Sequence, residues 1–371
     1  MRFPEFTEEW KEERLSKIAE LSKGVGISKE QLSEDGEPCI LYGELYTKYK
    51  SEIIHKVISK TNIESSNLKR SKRNDVIIPC SGETAIDIAV ARCVPFDNIL
   101  LGGDLNIIRL HKDDGAFMAY QLNGKRKIDI AKLAQGVSVV HLYGENIKAI
   151  KTYNPCLQEQ QKIVKLLSML DERIEVQNKI IEDLKKLKSA IYQELFSNLQ
   201  GEEKSLSELA EITKGQQVNG NQLSENGKYY VMNGGIMPSG YYDDYNTEAG
   251  TISISEGGNS CGYVQYNKSK FWSGGHCYTL HIKPTARIST LFLFHFLKWK
   301  EEDIMALRIG SGLPNIQKKD LSKVRIIVPT FDKQQQLIAL LSTLQMKIEY
   351  EEMYTINLDK QKLHLLSQMF I

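Results

Sequence analysis

Two short runs of basic residues in the first half of the chain could attract phosphate groups. The run at 69–74 carries four positive charges in six positions, and the run at 125–127 carries three in succession. Lysine and arginine are the side chains that most often contact phosphate oxygens. A solvated surface loop is an equally good interpretation, and the sequence leaves both open. The residues concerned are Lys69, Arg70, Lys72, Arg73, Lys125, Arg126 and Lys127.

Glycine-rich segments in the second half offer a different chemistry. Glycine lets a backbone approach a ligand closely, while asparagine, serine and lysine side chains can reach base edges or phosphates. Three segments combine these residue types, at 233–235, 257–260 and 311–315, and two lysines follow the last of them. Tyr241, Tyr242 and Tyr245 could belong to the same surface, with core or loop packing as the alternative for them. The candidate contact residues are Asn233, Asn259, Ser311, Asn315, Lys318 and Lys319.

Patterns that would support catalysis are weak. The sequence has no Gly-x-x-x-x-Gly-Lys-(Ser/Thr) loop to cradle nucleotide phosphates. Residues 154–157, Asn-Pro-Cys-Leu, are superficially similar to the Asn-Pro-Pro-aromatic motif of adenine methyltransferases, but they lack its second proline and its aromatic ring. We interpret them as the start of a helix. His276 and Cys277 could be two metal ligands, but nothing nearby completes a zinc site. The sequence therefore predicts no catalytic residue, metal or cofactor in this chain.

The composition is that of an ordinary globular protein. Of 371 residues, 48 are basic and 47 acidic, which gives a formal net charge of +1. This balance argues against a protein that holds nucleic acid by bulk charge alone, although it allows a local basic face. No apolar run approaches ~18 residues, and the N-terminus lacks the pattern of a signal peptide. We expect a cytoplasmic protein with reduced cysteines and no contact with a membrane.

The chain contains an internal repeat in two registers. Residues 15–24 match residues 206–215 at an offset of 191, and residues 155–196 match residues 329–370 at an offset of 174. The regions between them share little identity, so the layout is a similar start, a dissimilar middle and a similar long tail, twice. Repetition of this kind indicates two related tasks with two specificities.

The repeat divides the chain into four segments. Strand-like runs and glycine-rich turns in both middles predict mixed α/β (α+β) domains at 1–153 and 199–327. The tails, 154–198 and 328–371, have apolar residues at alternating spacings of three and four, which is typical of a coiled coil. At ~1.5 Å per residue, each tail makes a helix of roughly 60 Å. The predicted core positions are Ile163, Leu167, Leu170, Ile174, Ile181, Leu184, Lys188, Ile191, Leu337, Leu341, Leu344, Ile348, Glu351, Leu358, Lys362 and Leu365.

Polar residues at core positions predict how the two tails pair. A parallel pairing would place Lys188 against Lys362 in a half-buried layer, which is unfavourable. An antiparallel pairing places Lys188 opposite Glu351 and Gln177 opposite Lys362, so that unlike or neutral groups meet. We therefore predict an intramolecular antiparallel coiled coil. The alternative is that each tail is an amphipathic helix docked on its own domain.

The repeated pattern resembles the specificity subunit of type I restriction–modification enzymes. Each copy contains Leu-x-x-x-Ala-Glu-(Leu/Ile)-x-Lys-Gly, then a variable domain, then Pro-x-x-x-x-Gln-Gln-x-(Ile/Leu) at the start of a long helix. Residues 2–6, Arg-Phe-Pro-Glu-Phe, and the segment 310–316 are also similar to that family. Family helices often begin Pro-Pro-Leu-x-Glu-Gln, and the second helix here departs from that pattern, because residues 329–334 read Pro-Thr-Phe-Asp-Lys-Gln.

The resemblance implies a DNA-reading subunit with two target recognition domains. In that family each domain reads one half of a split, asymmetric site in double-stranded DNA, and the coiled coil sets the spacing. It also implies that two methyltransferase subunits and two ATP-dependent restriction subunits bind this chain. S-adenosylmethionine, ATP and Mg would then be held by those partners. We further expect that tight DNA binding requires the methyltransferase subunits to close around the duplex.

Two other functions stay open at this stage. One is an assembly scaffold that holds partner proteins without reading DNA sequence, and the other is an enzyme with an unrecognised active site. Replacing the variable residues 44–135 separates a DNA reader from a scaffold, because only a reader would change its sequence preference.

Overall fold

The two long tails are helices that each belong to two structural units. A computed structural model describes residues 2–64, 67–310 and 312–370. It divides into a first unit, residues 1–179 with 353–371, and a second unit, residues 180–352. The boundaries between the units therefore fall inside the tails, where the sequence predicts continuous helix.

The first unit combines short strands with short helices and the ends of two long ones. Its strands are β1 (Lys11–Arg14), β2 (Ala19–Lys23), β3 (Leu32–Ser33), β4 (Glu37–Ile40), β5 (Ser59–Thr61), β6 (Lys69–Arg70), β7 (Asp75–Pro79), β8 (Ser81–Gly82), β9 (Arg92–Val94), β10 (Leu100–Leu101), β11 (Leu105–Leu110), β12 (Val140–His141) and β13 (Lys151–Asn154). Its helices are α1 (Leu15–Ile18), α2 (Glu44–Thr47), α3 (Ala85–Ile88), α4 (Gly115–Asn123), α5 (Lys127–Lys132), α6 (Gly144–Ile147) and the first part of α7 (Leu157–Ser197).

An antiparallel sheet in the order β2-β11-β7-β9 forms the centre of the first unit. Successive side chains of a strand point to opposite faces, so β7, which is buried throughout, serves two apolar clusters. Val76 and Ile78 pack with Met118 of α4, whereas Ile77 packs with Ile40 of the second sheet, β3-β5-β4-β10-β6. A strand buried on both faces explains the uninterrupted apolar run in the sequence.

The second unit has the same kinds of element. Its strands are β14 (Glu202–Ser205), β15 (Ala210–Lys214), β16 (Tyr229–Met232), β17 (Tyr241–Tyr242), β18 (Thr251–Ser255), β19 (Val264–Asn267), β20 (Trp272–Ser273), β21 (Cys277–Ile282) and β22 (Arg325–Val328). Its helices are the end of α7, α8 (Leu206–Leu209), α9 (Thr290–Trp299), α10 (Glu301–Ala306), α11 (Lys318–Leu321) and the first part of α12 (Phe331–Met369).

The repeat extends through the middles that share little sequence. The sheet order β15-β21-β18-β19 of the second unit matches β2-β11-β7-β9 of the first, strand for strand. Each unit also opens with an antiparallel pair, β1 with β13 and β14 with β22. The two units thus share this sheet although the residues that form it differ. The predicted mixed α/β fold with an internal repeat is confirmed.

One buried glutamine fixes the start of each long helix. Gln160 Nε2 donates to the carbonyl of Pro155 at 2.9 Å, and its Oε1 accepts from the backbone N–H of Asp114 at 2.8 Å. Gln334 makes the equivalent bonds, to the carbonyl of Pro329 at 3.0 Å and from the N–H of Ser289 at 2.9 Å. Asp114 and Ser289 are the N-cap residues of α4 and α9. The repeated glutamine therefore ties each long helix to a domain helix.

Within each unit α7 and α12 run antiparallel. In the second unit Lys185 pairs with Glu352 at 2.6 Å, and Lys188, one turn later in α7, contacts Gln345, earlier in α12. In the first unit Ile163 and Leu167 share an apolar cluster with the end of α12. None of the sixteen predicted core positions is exposed. The end of α12, the tail that follows the second domain, packs in the first unit. The alternative that each tail docks only on its own domain is therefore wrong for α12. The coiled coil itself stays a prediction.

The predicted register of the polar pairs is wrong. Lys188 Nζ donates to Gln345 Oε1 at 2.6 Å rather than meeting Glu351, and Lys362 pairs with Asp171 at 2.6 Å rather than with Gln177. Both partners lie six residues earlier than expected. For Lys362 the observed partners supply two carboxylates, Asp171 on the opposite helix and Glu52 on the domain, whereas Gln177 would supply no charge.

Candidate nucleic-acid interface

The glycine-rich segments of the second unit come together at one end of its central sheet. The Asn233 carboxamide Oδ1 accepts a hydrogen bond from the backbone N–H of His276 at 3.0 Å, and the N–H of Gly258 donates to the carbonyl of Pro314 at 3.0 Å. Segments that are far apart in sequence therefore form one surface. We define the second-unit loop surface as residues 233–235, 257–259, 274–276, 309–310 and 312–315.

Glycine is required at several positions of this surface. Gly234, Gly258 and Gly310 have φ values of +83°, +78° and +104°, in the left-handed region that L side chains rarely adopt. A Cβ atom on Gly274 would lie 2.5 Å from Oδ1 of Asn233. These glycines let the loops approach one another closely, which places polar side chains at the exposed end of the sheet.

A buried carboxylate lies under the second-unit loop surface. Oε1 of Glu256 accepts from Lys214 Nζ at 2.6 Å and from the Tyr278 hydroxyl at 2.9 Å. Oε2 is buried and has no hydrogen-bond partner among the described residues, and it lies 3.7 Å from Nδ1 of His276. Burial, with the Glu256 carboxylate beside it, raises the pKa of Tyr278, so this hydroxyl stays a donor. No sequence motif marks Glu256, Tyr278 and Lys214 as a group.

Most contact residues predicted in the second half do lie at or beside this surface. Asn259 and Asn315 are exposed, Asn233 is half-buried with its carboxamide oxygen engaged, and the exposed pair Lys318 and Lys319 begins α11 directly after the surface. Ser311 lies outside the described residues. The arrangement offers amide and ammonium groups to a polyanion that approaches this end of the sheet.

The repeat places an equivalent surface in the first unit. Gln135 and His141 exchange two backbone hydrogen bonds, and 174 residues later Ile309 and Asn315 do the same. Gly136 has the same left-handed conformation as its counterpart, with φ of +123°. Applying the offset of 174 to Asn315 would have identified His141 from the sequence. The pattern of basic charge alone does not predict this surface.

Backbone hydrogen bonds hold the first-unit surface together. The N–H of Cys80 donates to the carbonyl of Asp104 at 2.7 Å, and the N–H of Leu142 donates to the carbonyl of Cys80 at 2.7 Å. The Ser81 hydroxyl donates to Asp104 Oδ2 at 3.0 Å. We define the first-unit loop surface as residues 81–83, 102–104 and 135–143.

The two loop surfaces share this backbone pattern but differ in side chains. In the second unit the N–H of Glu256 donates to the carbonyl of His276 at 2.9 Å, and the N–H of Ile316 donates to the carbonyl of Glu256 at 2.8 Å. Glu256 thus takes the place of Cys80, a thiol whose pKa burial raises to about 11, and His276 takes the place of Asp104. The same framework presents different hydrogen-bonding groups.

The first basic run is divided between the two sheets of the first unit. Lys69 and Arg70 form β6, and Arg70 pairs with Glu37 at 2.7 Å, a hydrogen bond that raises the pKa of the guanidinium. Lys72 and Arg73 are exposed just before β7, whereas the first-unit loop surface begins just after it. Five residues of strand separate them, or roughly 16 Å. Lys72 and Arg73 are therefore not part of the first-unit loop surface, whereas Lys69 pairs in register with Leu101, directly before Gly102 of that surface.

The second basic run does not join the first. Asn74, the last residue of the first run, accepts a hydrogen bond at Oδ1 from the N–H of Gly115, the first residue of α4, at 2.5 Å. Lys125, Arg126 and Lys127 follow the opposite end of α4. Lys125 is exposed and Lys127 half-buried. Arg126 lies 3.1 Å from a carboxylate oxygen of Asp129, so it has a role within the fold. The two runs therefore do not form one basic face.

Other chemistry has little support in the part of the chain that is described. No group of three histidine, cysteine, aspartate or glutamate side chains there is arranged to hold a metal ion. The cysteines are free thiols, and burial raises the pKa of Cys93 to about 12. In that same part of the chain, no helix is both long and apolar enough to cross a membrane.

The duplicated domain defines the class of protein. The chain belongs to the family described as type I restriction modification DNA specificity domain, which matches residues 7–186 and 199–358. It thus carries two copies of that domain, and the resemblance inferred from the repeat is confirmed.

Particular relatives support this assignment. A type I specificity subunit of Mycoplasma pneumoniae is 34% identical over 157 residues, which is 42% of this chain and 42% of that protein. One of Mycoplasma genitalium is 32% identical over 145 residues, 39% of this chain and 38% of that protein. These alignments span about two fifths of the relatives' own length.

Two solved structures have the same fold. The crystal structure of the type I restriction–modification system S subunit from M. genitalium matches with a TM-score of 0.68 and 21% identity, and the match covers 100% of this chain and 97% of that one. A chain from a structure on complex assembly and conformational transition of the type I system matches with a TM-score of 0.60 and 16% identity, over 98% and 97% of the two chains.

Proposed function

We propose that this chain reads double-stranded DNA as two half-sites, one at each loop surface. The observation that carries the proposal is the shared backbone framework with exchanged side chains, Cys80 for Glu256 and Asp104 for His276. Base sequence is read by hydrogen-bonding side chains at base edges, while a fixed framework sets their position. One framework with two sets of side chains suits a bipartite, asymmetric site.

Charge supports a reader that works inside a larger complex. The chain has a formal net charge of +1. Lys214, an exposed lysine beside the second-unit loop surface, is already paired with Glu256, and the exposed Lys318 and Lys319 begin α11 directly after that surface. A protein with few phosphate contacts has a weak non-specific grip on DNA. We therefore propose that partner subunits close around the duplex and supply much of the affinity.

Exposed apolar residues on the long helices support two copies of one partner. Leu166 and Val176 of α7 are exposed, and so are Leu340 and Tyr350, their counterparts 174 residues later in α12. Exposed apolar side chains at repeated positions suit a surface that each unit offers to the same protein. We propose that two methyltransferase subunits bind there and that two restriction subunits join them. S-adenosylmethionine, ATP and Mg would be bound by these partners, in the cytoplasm.

The long helices suit a spacer between the half-sites. α7 contains 41 residues, which corresponds to roughly 60 Å at ~1.5 Å per residue. Half-sites in the major groove that are one helical turn apart are separated by ~34 Å. We propose that an antiparallel coiled coil of α7 and α12 sets the distance between the bases that are read.

Selection from a pool of random DNA tests the function. The full chain, assembled with its methyltransferase subunits, is incubated with duplexes that carry a randomised region, and the bound fraction is sequenced. A DNA reader enriches two short sequences at a fixed separation. A scaffold enriches no sequence, and that result would contradict the proposal. Methyltransferase subunits without this chain serve as the control.

A further inference from the structure

His276 lies where three segments of the second-unit loop surface meet. Its N–H donates to Oδ1 of Asn233 at 3.0 Å, and its carbonyl accepts from the N–H of Glu256 at 2.9 Å. Its side chain is 64% exposed. The backbone of this residue is therefore fixed from two sides, while its imidazole faces solvent at the end of the sheet.

An unsatisfied carboxylate oxygen lies directly behind this imidazole. Oε1 of Glu256 accepts hydrogen bonds from Lys214 and Tyr278, but Oε2 is buried without a partner among the described residues. Leaving a buried acceptor unpaired costs about 1–3 kcal/mol, so such an atom calls for an explanation. Nδ1 of His276 is 3.7 Å away, which is too long for a hydrogen bond. A movement of about 0.8 Å would bring the two atoms to bonding distance.

We propose that His276 reads a base in the second half-site and that Glu256 positions its ring. When DNA binds, the Nδ1–H group of His276 donates to Glu256 Oε2. Lys214 already supplies the countercharge of this carboxylate, so the Nδ1–H of a neutral imidazole is enough to satisfy Oε2. Nε2 is then left as a hydrogen-bond acceptor that faces outward. In the major groove it takes an exocyclic amino group, N6 of adenine or N4 of cytosine. This inference rests on the proposed function.

The first unit carries an acceptor at the equivalent position. Asp104 replaces His276 in the repeated framework, and its exposed carboxylate can accept but not donate. One of its oxygens is held by the Ser81 hydroxyl at 3.0 Å, as Glu256 would hold the ring of His276. Both units thus place a supported acceptor at the same point, where base amino groups are the matching donors.

Three variants of the assembled methyltransferase test the inference. His276→Phe keeps a planar ring but removes both nitrogens, and Glu256→Gln removes the charged acceptor for Nδ1. His281→Phe is the matched control, because His281 is exposed on β21 and outside the second-unit loop surface. Affinity is measured for duplexes in which each base pair of the second half-site is replaced in turn, at several salt concentrations. Thermal unfolding confirms that each variant is folded.

We expect His276→Phe to lose about tenfold in discrimination at one base pair and to leave the other positions unchanged. Glu256→Gln should lower discrimination at that same base pair, and His281→Phe should behave as the native chain. If His276→Phe weakens binding to every duplex equally and reduces its salt dependence, His276 contacts a phosphate. That result would overturn this inference but not the proposed function. An unchanged sequence preference in His276→Phe, with a native assembly that is selective, would also overturn this inference and leave the proposed function standing. A native assembly without any preference would overturn the proposed function as well.

Discussion

The ammonium group of Lys362 lies 2.6 Å from the carboxylate of Asp171. The repeat offset of 174 relates this contact to the one between Lys188 and Gln345, also 2.6 Å long. The two units therefore make the same contact, but the first has a carboxylate where the second has an amide. Burial lowers the pKa of Lys362, yet Glu52 and Asp171 outweigh burial and leave it raised. Burial, and then Lys298, lower the pKa of Lys188.

Replacing Lys362 with methionine should destabilise the first unit strongly. The change removes the ammonium group that binds the buried carboxylates of Glu52 and Asp171, and losing one partner of a buried ion pair typically costs about 3–5 kcal/mol. Urea unfolding followed by Trp10 fluorescence reports on this unit, because the other two tryptophans lie in the second.

Two variants serve as controls for this change. Lys360→Met alters an exposed lysine of the same helix and should change stability by less than about 0.5 kcal/mol. Lys188→Met removes the repeat counterpart, whose partner is neutral, and should cost less than about 1 kcal/mol or increase stability. An equal loss of stability in Lys362→Met and Lys188→Met would contradict the view that the carboxylates make the Lys362 contact the stronger one.

The second unit should lose stability in mild acid. Burial, and then Lys188, lower the pKa of His295 from 6.5 to about 4. Below pH 6.5 the unfolded chain therefore binds a proton that the folded chain refuses, so the free energy of unfolding falls between pH 6.5 and 4, by up to about 3 kcal/mol. Urea unfolding of the chain at pH 7, 5.5 and 4.5, followed by Trp272 and Trp299, measures it. His295→Phe should remove this slope; an unchanged slope would exclude His295 as its source.

Lysines near and far from the loop surfaces should differ in their effect on DNA affinity. Replacing Lys318 and Lys319 with alanine should weaken binding on all sequences and reduce the salt slope by about two, roughly one for each phosphate that is no longer neutralised. Replacing Lys72 and Arg73, at the opposite end of the first unit's sheet, should leave affinity and slope unchanged. Binding measured from 50 to 200 mM salt separates the cases. A larger effect of the Lys72 and Arg73 change would place the interface at the basic run.

The sequence predicted what local pattern and repetition determine. The heptads placed the two long helices, and the repeated Pro-x-x-x-x-Gln-Gln pattern marked where each begins. Glu52, which supplies part of the countercharge of Lys362, lies 310 residues from it in the chain, so no local pattern contains this contact. Basic charge alone does not indicate the first-unit loop surface; the signal for it is the offset of 174 that links Asn315 to His141.

Mapping methylated adenines in cells that make this chain with its methyltransferase subunits tests the central claim most directly. Three versions are compared: the native chain, one with residues 42–143 exchanged for those of another family member, and one with residues 233–315 exchanged. We expect the native chain to give a bipartite, asymmetric motif and each exchange to alter a different half of it. The same motif from all three versions would contradict the assignment of one half-site to each loop surface.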